Sequence, residues 1–170
     1  MNIPFVSFKP MERELDAELR AAFERVYQRS WYIEGEEDAA FEKAFAEYCG
    51  VEHCVGCGNG LDALMLALKA LGVGAGDEVL VPSNTYIATA LAVTYTGATP
   101  VFVEPDIRTY NLDPMLLEAA LTERTKAVMP VHLYGQSCDM EPIMAFAKKH
   151  GLYVVEDCAQ AHGATYNGRK

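Results

Sequence analysis

Between Met11 and Tyr27, apolar residues recur every three or four positions, at Leu15, Leu19, Ala22, Phe23 and Val26, which predicts an amphipathic helix. The stretch from Trp31 to Gly35 breaks the pattern. Phe41, Phe45 and Tyr48 then share one face of a second helix over about 36–48, closed by Gly50. After residue 50 the rhythm changes. Short apolar runs at His53–Cys57, Glu78–Val81, Pro100–Val103, Ala127–Val131 and Tyr153–Glu156 read as strands. Helical periods fill the intervals at Leu61–Leu71, Tyr86–Tyr95, Pro114–Leu121 and Met140–His150. Short apolar strands alternating with helices predict an α/β fold, a three-layer sandwich around a largely parallel sheet. Residues 1–35 read as an N-terminal arm and helix, and 36–170 as one continuous domain segment. Near the end, Ala164-Thr165-Tyr166 runs into Asn167-Gly168, the pattern of a two-residue hairpin turn. Arg169 and Lys170 only begin the return strand, so the expectation is the front part of a longer protein.

Composition narrows the function classes. The 170 residues carry 14 basic and 24 acidic side chains, a net charge of −10, which repels phosphate backbones and anionic membranes. Basic residues cluster only in pairs such as Lys148-Lys149, so neither nucleic acid nor membrane is expected as a partner. The longest charge-free stretch, Val79–Val103, is broken by Pro82, Ser83, Asn84, Gly97 and Pro100 and does not read as a membrane span. No secretory leader is visible at Met1-Asn2-Ile3-Pro4-Phe5. The five cysteines are odd in number and suit reduced thiols in a cytoplasmic protein. Cys54-Val55-Gly56-Cys57 has CxxC spacing beside His53, but no second such pair exists, so small residues at a strand end are preferred over a metal site.

Candidate chemistry gathers at strand ends. Gly58-Asn59-Gly60-Leu61-Asp62 lies between a predicted strand and a strongly apolar helix. Free N–H groups at such a helix start make an anion cradle, although Asn59 and Asp62 could equally form a plain cap. Neither a P-loop nor a dinucleotide fingerprint is present. Val154-Val155-Glu156-Asp157 ends a strand in two carboxylates, followed by Gln160 and His162. Asp157 and Gln160 could reach one ligand, or Asp157 could be a cap. Tyr86 opens the helix after Pro82 and is either core or a stacking face for a flat ring. His132, at another strand end, reads first as a hydrogen-bonded structural histidine. A cradle, a stacking aromatic and a strand-end carboxylate together suit a flat phosphorylated heteroaromatic such as pyridoxal 5'-phosphate.

With these residues in view, the sequence resembles the DegT/DnrJ/EryC1/StrS sugar aminotransferases, which have the aspartate-aminotransferase type of fold. The carriers are Tyr32-Ile33-Glu34-Gly35, Gly58-Asn59-Gly60-Leu61-Asp62-Ala63-Leu64, Asp77-Glu78-Val79-Leu80-Val81-Pro82 and Thr85-Tyr86-Ile87-Ala88-Thr89. Thr125–Gly135 and Glu156–Gly163 continue the match in order. The wording is most similar to members that make 3-amino-3,6-dideoxy sugars on a dTDP carrier. The resemblance implies that 36–170 is the N-terminal part of a pyridoxal-phosphate-binding large domain. It implies transamination of a nucleotide-linked keto-sugar, with glutamate as donor, in a cytoplasmic homodimer. It also implies that Gly58, Asn59, Gly60 and Leu61 hold the phosphate and that Tyr86 covers the pyridine face. Asp157 would partner the pyridine nitrogen, and Gln160 would donate to the ring's phenolic oxygen. No metal is implied.

One feature of the family is absent. Its Schiff-base lysine belongs to a later segment, and none of Lys9, Lys43, Lys69, Lys126, Lys148, Lys149 and Lys170 has the expected context. The chain alone is therefore expected to be inactive. A family dehydratase with histidine in place of that lysine, and an inactive truncated fragment, remain the alternatives.

Overall fold

Along Glu78–Pro82, Val79 and Val81 face one apolar core and Leu80 faces another, and the whole strand is buried. Alternation of this kind requires cover on both faces, and the rest of the fold supplies it. The structure, a computed structural model, describes residues 3–170. Met1 and Asn2, the first residues of the predicted arm and of the segment read for a leader, lie outside them. The chain divides into two compact units, Met1–Gly56 and Cys57–Lys170.

The first unit holds two helices, α1 (Lys9–Arg29) and α2 (Glu36–Cys49). Pro10 suits the first turn of α1, whose N–H groups need no helical partner. Gly50, at φ +71°, closes α2 in the left-handed conformation that the sequence predicts for it. Arg25 and Arg29 of α1 pair with Glu37 and Glu36 at the acidic start of α2, at 2.5 and 2.6 Å. Phe41 and Phe45 stack with ring centroids 5.4 Å apart. No residue of α1 is buried, and Leu19, Phe23 and Tyr27 line up exposed along it.

The second unit is the α/β sandwich. Its elements are α3 (Gly60–Ala70), β1 (Glu78–Pro82), α4 (Ile87–Tyr95), β2 (Thr99–Val103), α5 (Leu117–Ala120), β3 (Thr125–Val128), α6 (Met140–His150) and β4 (Tyr153–Val154). The four strands are parallel in the order β2-β1-β3-β4. Leu64 and Leu68 of α3 and Ala92 and Val93 of α4 pack with Val79, Val81 and Ala127 on one face. Leu117 of α5 and Ile143 and Phe146 of α6 pack with Leu80, Val103 and Val128 on the other. The three-layer prediction holds.

Several elements differ from the sequence reading. Residues 53–57 form no strand: Val55 is 82% exposed, and the Gly56 N–H goes to the Glu42 carboxylate at 2.6 Å instead of a ladder. Without a buried face or a pairing partner, the run has nothing to hold it extended. The strand 127–131 starts earlier, at Thr125, and its regular part stops at Val128, two residues before Pro130, which has no N–H to donate. Pairing resumes at a single Val131–Asp157 bridge. Pro114–Leu121 is a tight turn followed by one helical turn. The hairpin forms as predicted, with Asn167 and Gly168 at φ +50° and +78° and Tyr166 bonded both ways to Arg169.

Glu78 is the charge this core must accommodate. It is 5% exposed at the start of β1, accepting from Thr122 Oγ1 at 2.5 Å and from Arg124 Nε at 2.9 Å. The Thr122 hydrogen bond, with Arg124 behind it, holds the carboxyl below the usual carboxylate range. A depressed folded-state pKa contributes stability above the unfolded value, about 4.3, and loses it as pH falls through the folded value. Glu78→Gln is therefore expected to lower the urea midpoint at pH 7, with the gap to the parent closing as pH drops below about 4. A gap independent of pH would assign the loss to packing.

Candidate active site

Parallel strands end at one edge of the sheet, so the loops after β1, β3 and β4 meet there with the start of α3. They enclose a cavity of about 540 Å³. Asn59, Gly60 and Leu61 form one wall, and Thr85 and Tyr86 form a second. Val131, Asp157, Ala159 and Gln160 form a third, and Leu64, Ala88 and Leu91 add apolar surface. The chain passes from β1 to β2 on one side and then crosses to β3 on the other, so the cavity lies where the strand order reverses. Open α/β sheets bind ligands at such points.

Six of the seven residues singled out from the sequence line this cavity: Asn59, Gly60, Leu61, Tyr86, Asp157 and Gln160. Gly58 does not. It stands just before the wall, where a Cβ would come within 2.9 Å of the Asp62 carboxylate.

At the start of α3 the capping alternative is realised. Asn59 Oδ1 accepts from the Asp62 N–H at 2.9 Å, and Asn59 Nδ2 donates back to Asp62 Oδ2 at 2.9 Å. The cap uses one of the four orphan donors of the helix, leaving the N–H groups of Asn59, Gly60 and Leu61 outside the helical ladder. Two of those residues, Gly60 and Leu61, are in the first turn, where the dipole favours an anion. The cap therefore leaves those donors available.

Asp157 is fixed through its backbone before its side chain is considered. Its N–H donates to Pro130 O at 2.9 Å, and its carbonyl accepts from His132 N at 3.1 Å. Oδ1 takes the Ala159 N–H at 3.1 Å, and Oδ2 faces the hydroxyl of Thr89 at 3.3 Å. Gln160 is oriented by the turn at Leu133–Gly135, where Tyr134 adopts φ +59°. This left-handed conformation is uncommon for a non-glycine residue, and it points the Tyr134 N–H at Gln160 Oε1, 2.8 Å away. Since a backbone N–H can only donate, the carboxamide oxygen is the atom it meets, and Nε2 remains a donor. The turn is itself pinned by buried Asn111, which accepts from Leu133 N and donates to Gln136 O. Tyr86, 73% exposed, offers an open ring face.

Sequence reasoning missed Thr89, Asn111 and the role of the Tyr134 backbone, because each acts through a partner more than 20 residues away. Only the positive φ demanded by Tyr134-Gly135 left a trace, in the glycine. His132 is structural, as its first reading held. It is buried, its Nδ1 accepts from Cys138 N at 3.0 Å, and its Nε2 meets Glu156 Oε2 at 2.9 Å. The hydrogen bond from His132 holds Glu156 below the usual carboxylate range, against desolvation. Among the described residues, His132, Glu156 and Cys158 are a three-donor group of metal-ligand types. The Cys138 N–H, however, occupies the Nδ1 lone pair, so a ring proton sits on Nε2 facing Glu156 and that atom offers no lone pair to a cation. All five cysteines are thiols, none joined in a disulfide.

The sequence profile of the DegT/DnrJ/EryC1/StrS aminotransferase family matches residues 13–170. The chain belongs to this family. Members are pyridoxal-phosphate-dependent aminotransferases. The chain is 56% identical over 168 residues to a dTDP-3-amino-3,6-dideoxy-alpha-D-galactopyranose transaminase of Aneurinibacillus thermoaerophilus, covering 99% of itself and 46% of that protein. Against the GDP-perosamine synthase of Caulobacter vibrioides it is 65% identical over 130 residues, 76% of this chain and 35% of that one. The crystal structure of Streptomyces venezuelae DesV in complex with a ketimine intermediate superposes with a TM-score of 0.97 at 54% identity, covering 99% of this chain and 45% of that one. The chain thus spans less than half the length of these relatives. Among the described residues, no helix is long and apolar enough to cross a membrane.

Replacing Asn59 by Ala removes both bonds of the reciprocal cap and is expected to cost about 1 kcal/mol of stability. Asn59→Ser, which keeps an acceptor for the Asp62 N–H without setting a second carboxylate against Asp62, should recover most of it. Urea denaturation of the three proteins measures the difference.

Proposed function

We propose that the protein carrying this chain is a pyridoxal-phosphate-dependent transaminase that aminates a nucleotide-linked keto-sugar, dTDP-linked, with L-glutamate as donor. The observation that carries the reading is the convergence of a helix N-terminus, an open aromatic face, a fixed carboxylate and an oriented carboxamide on one cavity. The cavity volume lies within the range of small-molecule sites, about 300–1,000 Å³.

Each wall matches one part of the cofactor. The N–H groups at Asn59, Gly60 and Leu61 would take the phosphate, with Gly58 giving the turn that precedes them. Tyr86 would cover one face of the ring. Asp157 would hold the proton on the pyridine nitrogen, and Gln160 Nε2 would donate to the phenolic oxygen. When bound, the cofactor supplies the electron sink that amino-group transfer needs. The dTDP-linked substrate is supported by the Aneurinibacillus relative, whereas the Caulobacter relative supports the broader nucleotide-sugar class.

The same reading takes 1–35 as an arm and 36–170 as the front of the cofactor-binding domain, in a cytoplasmic homodimer. The exposed stripe of Leu19, Phe23 and Tyr27 on α1 supports a partner surface there.

None of the seven lysines of the chain lines the cavity. The 170-residue chain alone is therefore expected to release no 2-oxoglutarate from glutamate and a keto-sugar acceptor. At full length, Asp157→Asn should lower kcat by at least about 100-fold with the fold retained. Turnover by the chain alone would overturn the expectation drawn from the lysines, and unchanged kcat in the full-length variant would overturn the role given to Asp157. Amination of GDP-linked but not dTDP-linked acceptors would overturn only the choice of nucleotide.

A further inference from the structure

Thr89 is fully buried in the first turn of α4, yet its hydroxyl lies 3.3 Å from Asp157 Oδ2 and 2.9 Å from Thr85 Oγ1. A hydroxyl has one proton to give. An ionised carboxylate can only accept, so the Thr89 proton points at Asp157, and Thr85 must be the donor to Thr89. The result is a directed relay, Thr85 O–H to Thr89 Oγ1, then Thr89 O–H to Asp157 Oδ2, in which each donor polarises the next. The last link is long for an O–H···O bond, a distance that a bound ligand can shorten.

The other carboxylate oxygen takes the Ala159 N–H at 3.1 Å. With a donor on each oxygen, the plane of the Asp157 carboxylate is set by α4 from one side and by the loop after β4 from the other. Neither Thr89 nor its hydroxyl is among the groups lining the cavity, so it acts through Asp157 alone.

We propose that Thr89 is a positioning residue, whose hydroxyl, backed by Thr85, orients the Asp157 carboxylate toward the cationic nitrogen of the bound ring. The inference rests on the proposed role of Asp157. Without the hydroxyl, Oδ2 has no partner on that side and the carboxylate is free to swing off line. The ring nitrogen then loses part of its anionic partner and gives up its proton more easily.

The test uses the full-length protein loaded with pyridoxamine 5'-phosphate, comparing Thr89→Val, Thr89→Ser and Asp157→Asn with the parent. The readouts are the dissociation constant of the cofactor and the pH titration of its isotope-labelled ring nitrogen by NMR. Thr89→Val should weaken binding by roughly 10-fold, as for a lost hydrogen bond to a charged group, and lower the pH of ring deprotonation by about one unit. Thr89→Ser, which keeps the donor, should stay within about 2-fold of the parent on the same scale. Asp157→Asn should show the larger loss in both readouts. If Thr89→Val does not fold, Thr89→Ala replaces it, since it removes the same donor and Thr89→Ser still serves as the rescue. A ring titration unmoved in the hydroxyl-free variant while Asp157→Asn shifts it would overturn the role of Thr89 and leave that of Asp157 standing. An unmoved titration in Asp157→Asn would overturn both.

Discussion

A parallel strand cannot be reached by a hairpin; the chain must travel back across the sheet before it can pair again. All four strands of the second unit obey this constraint, and the site follows from it. Each return journey is a helix or helical turn laid on a sheet face, which is why β1 is buried on both sides. The same constraint sends every strand toward one edge, where the loops after β1, β3 and β4 collect Tyr86, Val131 and Asp157 around one cavity. Glu78 at the opposite end of β1 is held by Thr122 and Arg124, so the one buried carboxylate of that strand is satisfied away from the chemistry.

Polar groups at the cavity are oriented by backbone donors, two of them local and one from a distant turn. Ala159 N–H holds one oxygen of Asp157, Tyr134 N–H holds the oxygen of Gln160, and Asp62 N–H holds Asn59. Backbone N–H groups have no alternative role, so they fix which atom of a carboxamide faces them and which faces the cavity. Asn111 extends the arrangement by anchoring the turn that carries Tyr134. The left-handed Tyr134 is thus the local cost of aiming one N–H, sustained by a buried side chain with both amide atoms satisfied.

Legibility in the sequence depended on whether a feature was local. The amphipathic period of α3 and α6, the glycine that closes α2 and the Asn167-Gly168 turn were all readable, because each arises within a few residues. The run at 53–57 was misread for the opposite reason. Its apolar composition suits a strand, but a strand exists only where a partner edge and a buried face are available, and Val55 has no such face.

Residue order alone determined the fold class, the parallel sheet and six of the cavity-lining candidates, since strand-end placement follows from alternation of strands and helices. It also left Asn59 open between cap and cradle and Asp157 open between cap and ligand partner. Tertiary structure decided the first of these. It showed that the cap uses one orphan donor of α3 and spares the others, and that Asp157 is bridged to Val131. It alone brought Thr89 to Asp157 and Tyr134 to Gln160, across 68 and 26 residues of sequence. A hydrogen bond is directional and short-ranged, so a pair this distant in sequence exists only once the packed sheet has fixed both partners to within a fraction of an ångström.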